Sequence, residues 1–236
     1  MTDHLTEPDA ARADLAATRR AYDTVAHDYA EMLQNELAAK PYDRAMLAAF
    51  AELVRSGGTR TRVADLGCGP GRVTAHLDEL GLDAFGIDLS PQMIAVARAR
   101  HPTLSFDVGS IEATTLEDDA LAGLIAWYSI IHTPPERLPG VFAEFARVLA
   151  PRGIALLAFQ AVSDAAVPGA AVLGAAVPRH IAHAYGHDVD LDAYRLQPDS
   201  IRAQLIDAGF VVEATLIREP DEDERTRQAF LLARLR

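Results

Sequence analysis

A chain of 236 residues, half of them apolar and a quarter charged, is long enough to bury one substantial core, and that balance excludes disordered, collagen-like and disulfide-scaffold classes. Acidic residues number 34 against 22 basic ones, a formal net charge of -12; this field repels phosphate backbones and anionic lipid, and favours a small-molecule partner over nucleic acid or membrane. Cys68 is the sole cysteine, so neither an intramolecular disulfide nor a cysteine-based metal site can form, and no metal is expected.

Residues 1–7 hold no apolar core of the kind a leader peptide needs. The weakly polar stretch 165–178 is broken by Pro168 and falls short of the roughly 20 residues of a membrane span, so a cytoplasmic location is the expectation. Leu15, Tyr22, Val25, Tyr29, Met32 and Leu33 recur at helical intervals, which predicts amphipathic helices over 10–38. Pro41 opens a further helix whose stripe of Met46, Leu47, Phe50, Leu53 and Val54 stops at Ser56, Gly57 and Gly58. From there short apolar runs alternate with helical stretches: strands at 62–66, 83–87, 103–107, 121–130 and 153–160, helices at 71–80, 91–100 and 136–149. The alternation predicts right-handed crossovers and a mainly parallel sheet with helices on both faces. After a helix near 198–208, the runs 210–218 and 227–235 flank an acidic loop and predict an antiparallel hairpin added to the sheet. The expected organisation is a helical lid and first helix over 1–58, then an α/β core over 59–236 interrupted at 162–196 by an insertion that serves as a substrate lid.

The segment Val63-Ala64-Asp65-Leu66-Gly67-Cys68-Gly69-Pro70-Gly71-Arg72-Val73 reads as a strand running into a glycine-rich turn that opens a helix. Glycines there let the backbone bend sharply and let a ligand approach where a side chain would collide. A dinucleotide fingerprint wants a small residue three positions after its second glycine; Arg72 stands there, which disfavours a pyrophosphate site and a nicotinamide-dependent oxidoreductase. Asp88 lies 17 residues beyond Gly71, at the carboxyl end of the second strand, where an acidic side chain accepts hydrogen bonds from both hydroxyls of a ribose. Ser90 before Pro91 suits the helix N-cap better than Asp88 does.

Asp65-Leu66-Gly67-Cys68-Gly69-Pro70-Gly71 resembles motif I of the class I S-adenosylmethionine-dependent methyltransferases. The resemblance continues through Gly86-Ile87-Asp88-Leu89-Ser90-Pro91-Gln92-Met93 and Arg147-Val148-Leu149-Ala150-Pro151-Arg152-Gly153, and so covers about residues 60–160. It implies a Rossmann-like, seven-stranded, mainly parallel sheet with an antiparallel C-terminal hairpin, S-adenosyl-L-methionine as cofactor and S-adenosyl-L-homocysteine as product. By the resemblance, Asp65 faces the amino-acid end of the cofactor and Gly67 and Gly69 lie against it. Cys68 is counted with the cofactor-binding residues of the same loop, its side chain packing behind it. Asp88 holds the ribose, Leu89 and Met93 flank the adenine, and Ser110, next to Ile111, replaces the aspartate usual at the adenine amino group.

Ala126 to Pro135 ends the fourth strand, at the edge where an open α/β sheet presents its reacting groups. His132 is titratable near neutrality and is a candidate base toward a hydroxyl or amine acceptor; a helix-capping or cofactor-side role is the alternative. Trp127 and Tyr128 divide between core and cofactor pocket. Tyr22 and Tyr29 sit in a Tyr-Asp-x-x-Ala-x-x-Tyr stretch that resembles the lid of small-molecule methyltransferases, which implies Tyr22 toward the cofactor and Tyr29 toward the acceptor. Lys40 is either a partner for the cofactor carboxylate or a solvated surface group. His180, His183 and His187, beside Asp188, Asp190 and Asp192, would share one helical face if a helix persists past Gly186, and that set has metal-binding chemistry; acceptor contact by one of them, or by Tyr185 or Tyr194, is the stronger expectation. The expected function is in-line methyl transfer to an oxygen, nitrogen or carbon nucleophile of a small molecule, by a monomer or homodimer. A protein methyltransferase, or a protein that binds the cofactor without chemistry, is the alternative.

Overall fold

β1 (Arg62–Leu66) and β4 (Leu121–Trp127) are buried nearly throughout, and apolar apart from Arg62 at the start of β1 and Asp65 near its end, as befits strands covered on both faces. The computed structural model, which describes residues 7–58, 61–162, 178–222 and 224–236, sets them side by side at the centre of a seven-stranded sheet of order β3-β2-β1-β4-β5-β9-β8. β2 (Asp83–Asp88), β3 (Ser105–Val108) and β5 (Leu149–Gln160) run parallel to them. β9 (Gln228–Leu235) enters antiparallel beside β5, and β8 (Phe210–Arg218) pairs antiparallel with β9 at the edge. The sheet is thus the mainly parallel one expected, closed by its C-terminal hairpin.

Two buried layers flank it. On one face Phe142 and Phe145 of α6 (Leu138–Val148) and Leu205 of α7 (Pro198–Asp207) pack on Leu124 and Leu157. On the other, Phe50 and Val54 of α3 (Pro41–Ser56) and Leu77 of α4 (Arg72–Glu79) pack on Val63, Ile125 and Leu156. Leu124 and Ile125 are neighbours serving opposite faces, the period-two alternation of a strand. Before the core, α1 (Glu7–Met32) lies over the carboxyl ends of the central strands, its Tyr22 and Tyr29 sharing a cleft with Gly67, Asp88 and Trp127, and the short α2 (Glu36–Ala39) follows it. α1 is fixed to α5 (Pro91–Arg100) through Asp23, whose Oδ1 accepts from Ser90 Oγ at 2.6 Å and from the Gln92 N–H at 3.1 Å.

Three expectations change. β4 ends at Trp127 and not at residue 130, because Tyr128 turns the chain at φ +57 and Ile130–His132 form a 3-10 turn. β5 starts at Leu149, pairs once with Leu121, and resumes its register at Ile154 after an irregularity around Pro151 and Arg152. Within the insertion, residues 163–177, and with them nearly all of the alanine-rich stretch, lie outside the described residues, while 179–193 form a hairpin and not a helix. Its strands are β6 (Arg179–Ala184) and β7 (His187–Ala193), and Tyr185 and Gly186 close it with φ of +52 and +85, the two-residue turn whose twist matches the strands.

The hairpin separates the three histidines. His180 pairs across it with Asp192 at 3.1 Å, His183 with Asp188 at 3.2 Å, and His187 reaches Asp28 of α1 at 2.6 Å. No three metal-capable side chains converge among the described residues. Lys40 does not face a ligand either: its ammonium sits between Asp221 (2.6 Å) and Glu224 (3.0 Å) in the loop before β9, beside the buried Arg218 that pairs with Asp43. No described helix is long and apolar enough to cross a membrane.

Candidate functional site

Strand order reverses between β1 and β4, the point at which an open α/β sheet leaves a crevice beyond its carboxyl ends. A cleft with about 700 Å³ of empty space, its mouth included, lies there, roofed by α1 and floored by the loop after β1 and the ends of β2 and β4. The floor is bare backbone. Gly67 has φ +81, and a Cβ on it would strike the Cβ of Ser129 and come within 3.0 Å of its Oγ. Over Gly69, at φ +53, a Cβ would meet only the Tyr29 ring at 3.8 Å, so this peptide is open to the cleft. Gly71 serves packing instead, since a Cβ there would run into Phe106 at 2.7 Å.

Asp88 ends β2 with both carboxylate oxygens in use: Oδ2 accepts from the Gly69 N–H and Oδ1 from the Ser90 N–H, each at 2.8 Å. Each oxygen keeps a further lone pair for a ligand hydroxyl. Burial pushes the Asp88 pKa upward, and the two N–H groups oppose that shift. Ser90 is the N-cap of α5, as its place before Pro91 predicts, its Oγ accepting from the Met93 N–H at 3.1 Å.

Asp65 is fully buried beneath the loop. Its Oδ2 accepts from Thr74 Oγ1 at 2.7 Å, Oδ1 has no hydrogen-bond partner, and burial raises its pKa to about 6. Ser129 Oγ, in the cleft wall, likewise has none. Of the two, Ser129 lines the cleft and is open to a ligand's donor or acceptor, whereas Asp65, expected at the cofactor, does not line it and lies behind the loop. The carboxyl that prefers its proton in the folded chain costs roughly 3 kcal/mol at pH 7. That penalty is complete above about pH 7 and is lost only as pH falls below the ordinary carboxylate range. Asp65→Asn is therefore expected to raise the melting temperature of the ligand-free chain by several degrees at pH 7.5 and by less than half as much at pH 4.5, a comparison read by thermal scanning; a variant less stable at both pH values would overturn this account.

At the far end of the cleft His132 accepts from the Tyr22 hydroxyl at Nε2 (2.6 Å) and donates from Nδ1–H to the Asp192 carbonyl (2.8 Å). A carbonyl can only accept, so the proton belongs on Nδ1 and the Nε2 lone pair faces Tyr22. Burial holds the imidazole pKa below its ordinary value, and the Asp192 carbonyl only partly offsets this.

Of the residues expected at the site, Gly67, Gly69, Asp88, Leu89 and Met93 line the floor and one wall, Ser110 and Ile111 the next, and Tyr22, Tyr29, Tyr128 and His132 the roof and far end. Others sit elsewhere. The Cys68 side chain packs behind the loop against Ile94, Ala97 and Phe106, with burial raising its thiol pKa, so it does not face the cleft. Tyr185 stacks edge-on behind Tyr29 at 5.0 Å, and Tyr194 lies in a smaller adjoining pocket with Asp14, Asp190 and Asp192 that meets the cleft only at Thr18 and His132. Neither tyrosine touches the main cleft, because the insertion folds as a hairpin that carries them past it.

Sequence reasoning missed Leu15, Thr18, Glu112 and Ser129 as lining residues. The helical spacing of 15, 18, 22 and 29 was the available signal for the first two. It also missed Arg72 as a support: its guanidinium pairs with Glu36 at 2.7 Å and holds the Tyr29 hydroxyl.

A family model described as a methyltransferase domain matches residues 63–153. An uncharacterized methyltransferase of Mycobacterium tuberculosis is 37% identical over 95 residues, which are 39% of this chain and 37% of that protein. A malonyl-[acyl-carrier protein] O-methyltransferase of Pectobacterium atrosepticum is 31% identical over 137 residues, 54% of this chain and 51% of its own. The matched region thus spans between about a third and a half of these curated relatives. Among solved structures, a Burkholderia thailandensis 1,6-didemethyltoxoflavin-N1-methyltransferase with bound S-adenosylhomocysteine superposes with a TM-score of 0.69 at 18% identity, covering 100% of this chain and 93% of that one.

Proposed function

We propose, from the premise that this chain carries a class I S-adenosylmethionine-dependent methyltransferase domain, that it binds S-adenosylmethionine in the cleft and methylates a small molecule. The observation that carries the reading is the cleft floor: the left-handed Gly69 leaves its backbone open beside a carboxylate with spare lone pairs, and Ser129 Oγ in the wall lacks a partner. These residues fit the cofactor. Asp88 would take the ribose hydroxyls, Gly67 and Gly69 would lie along the amino-acid end above Asp65, and Leu89, Met93 and Ile111 would enclose the adenine, with Ser110 at its rim. When bound, the cofactor supplies a methyl group on a positively charged sulfur, already strongly electrophilic.

The chain's remaining task is to align the acceptor, exclude water and receive a proton. Alignment alone supplies on the order of 7 to 11 kcal/mol of barrier lowering in well-oriented reactions. Tyr22 and Tyr29 on α1 would close the cleft from above, and His132, held as the neutral Nδ1–H tautomer, would receive the proton at Nε2.

Calorimetric titration with S-adenosylmethionine and S-adenosylhomocysteine, with NADH as control, tests the cofactor: micromolar binding of the first two and none of NADH is expected, and binding of NADH alone would overturn the reading. With an acceptor in hand, His132→Ala should lower kcat by 10²-fold or more while changing cofactor Kd less than threefold. In the parent protein the acid limb of the kcat profile should lie below the ordinary imidazole range, since the histidine stays neutral to lower pH. Equal turnover in the variant would remove the base assignment.

A further inference from the structure

We propose that the acceptor is an uncharged hydroxyl compound of phenol or enol type, and that its proton passes through Tyr22 to His132. This deepens the methyl-transfer reading and rests on it.

The described walls of the cleft offer an acceptor anion no cation. Among the described residues its charged lining is the carboxylates Asp88 and Glu112, and neither lysine nor arginine. The cation nearest Glu112, Arg137, is engaged by Glu112 at 3.2 Å and by Asp14 at 3.3 Å. Behind the His132 ring the adjoining pocket presents Asp14, Asp190 and Asp192. A carboxylate acceptor would lose its water in this negative field with only the cofactor's own sulfonium, and no side chain of the described lining, to pair with, and that positive charge is spent in the reaction. It also has no proton to lose, so the Tyr22–His132 pair would stand idle.

The same pair selects among protic acceptors. An ammonium has no lone pair until its proton has left, and a buried imidazole is several units too weak a base to remove it. A hydroxyl oxygen keeps lone pairs while protonated, so it can form its new bond as the proton departs, and the weak base suffices. Phenol-type hydroxyls are the most willing donors of that class, and the rings of Tyr22, Tyr29, Trp127 and Tyr128 offer a flat apolar body edges and faces to rest on.

The balance closes on residues of this chain. The acceptor oxygen gains the methyl carbon and loses its proton to Tyr22 Oη, as the hydroxyl proton of Tyr22 passes to His132 Nε2 across the 2.6 Å hydrogen bond. The sulfur keeps the electron pair of the broken bond, so one positive charge moves from sulfur to imidazole. There it meets the Asp192 carbonyl at 2.8 Å and the pocket of Asp14, Asp190 and Asp192, the last two shared with His180, while Tyr194 closes that pocket. Preorganised negative charge aimed at a developing cation is stabilisation that needs no rearrangement.

The test uses the full chain saturated with S-adenosylhomocysteine and two matched pairs of probes, p-cresol with p-toluate and 2-naphthol with 2-naphthoate, titrated calorimetrically. Each phenol is expected to bind at least tenfold more tightly than its acid, and Tyr22→Phe, which keeps the ring that lines the cofactor's cleft and removes only the hydroxyl bonded to His132, to reduce that preference at least fivefold. Equal or tighter binding of the acids, or binding of neither class, would overturn the inference and leave the cofactor reading intact. Failure of S-adenosylhomocysteine itself to bind would remove both.

Discussion

Asp88→Ala is expected to weaken S-adenosylhomocysteine binding by 10- to 100-fold, the largest loss from any single substitution in the cofactor half of the cleft. Two effects add. The ligand loses the carboxylate proposed to hold its ribose, a charge-assisted pair of hydrogen bonds. The loop loses its own tie, since the Gly69 and Ser90 N–H groups are both held by this side chain and each, left unpaired, costs about 1 to 3 kcal/mol. Asp88→Asn keeps one acceptor oxygen and loses the charge, and should fall between. Calorimetry on the three proteins measures this directly, with thermal unfolding run alongside to separate loop damage from ligand contact. An alanine variant with parental affinity would take Asp88 out of the site.

The second large effect falls on stability. Gly67→Ala is expected to lower the melting temperature by about 10 °C, from a loss on the order of 3 kcal/mol or more. Its Cβ would occupy the place of the Ser129 side chain, and φ +81 is a conformation that a non-glycine residue holds only at a cost of about 1 to 2 kcal/mol. The two contributions separate by design. Ser129→Gly clears the collision and leaves the dihedral cost, so the double variant should recover more than half of the loss in a thermal scan. If the double variant is no better than Gly67→Ala, the collision is not the cause. Gly69→Ala is a useful contrast, having the dihedral cost and no collision.

Much of this was legible in the chain because glycine and proline punctuate it. Gly67 to Gly71, Ser90-Pro91 and Gly209 each stop one element and start another, and apolar runs between them are short enough to be strands, so the parallel sheet and its terminal hairpin follow. The hairpin at 179–193 was not legible for the converse reason. β6 is largely exposed and carries no apolar period, whereas Asp188-Val189-Asp190-Leu191-Asp192-Ala193 of β7 alternates polar with apolar at period two, a strand signal masked by the helical spacing of the three histidines. The end of β4 was misplaced because Tyr128 takes a left-handed conformation that a tyrosine rarely adopts; such strain gathers at functional sites and leaves no compositional trace. In the site, motif spacing located the glycines and Asp88, which sit next to one another along the chain. The Tyr22–His132 bond joins positions 110 apart and the Asp23–Ser90 bond positions 67 apart, and only the crossover geometry brings them together.

Several contacts hold α1 over the cleft, among them Asp23 on the start of α5, Asp28 on His187, and Tyr29 on Tyr185. Traffic into the cleft is then a matter of time as well as affinity. A ligand that must wait for this helix to lift associates no faster than the helix opens, however concentrated the ligand is, and one trapped beneath it leaves no faster. The residence time of the spent cofactor would accordingly depend on contacts of this helix remote from the reacting atoms, and substitutions at Asp28 or Tyr185 would alter entry and release and leave the chemical step unchanged.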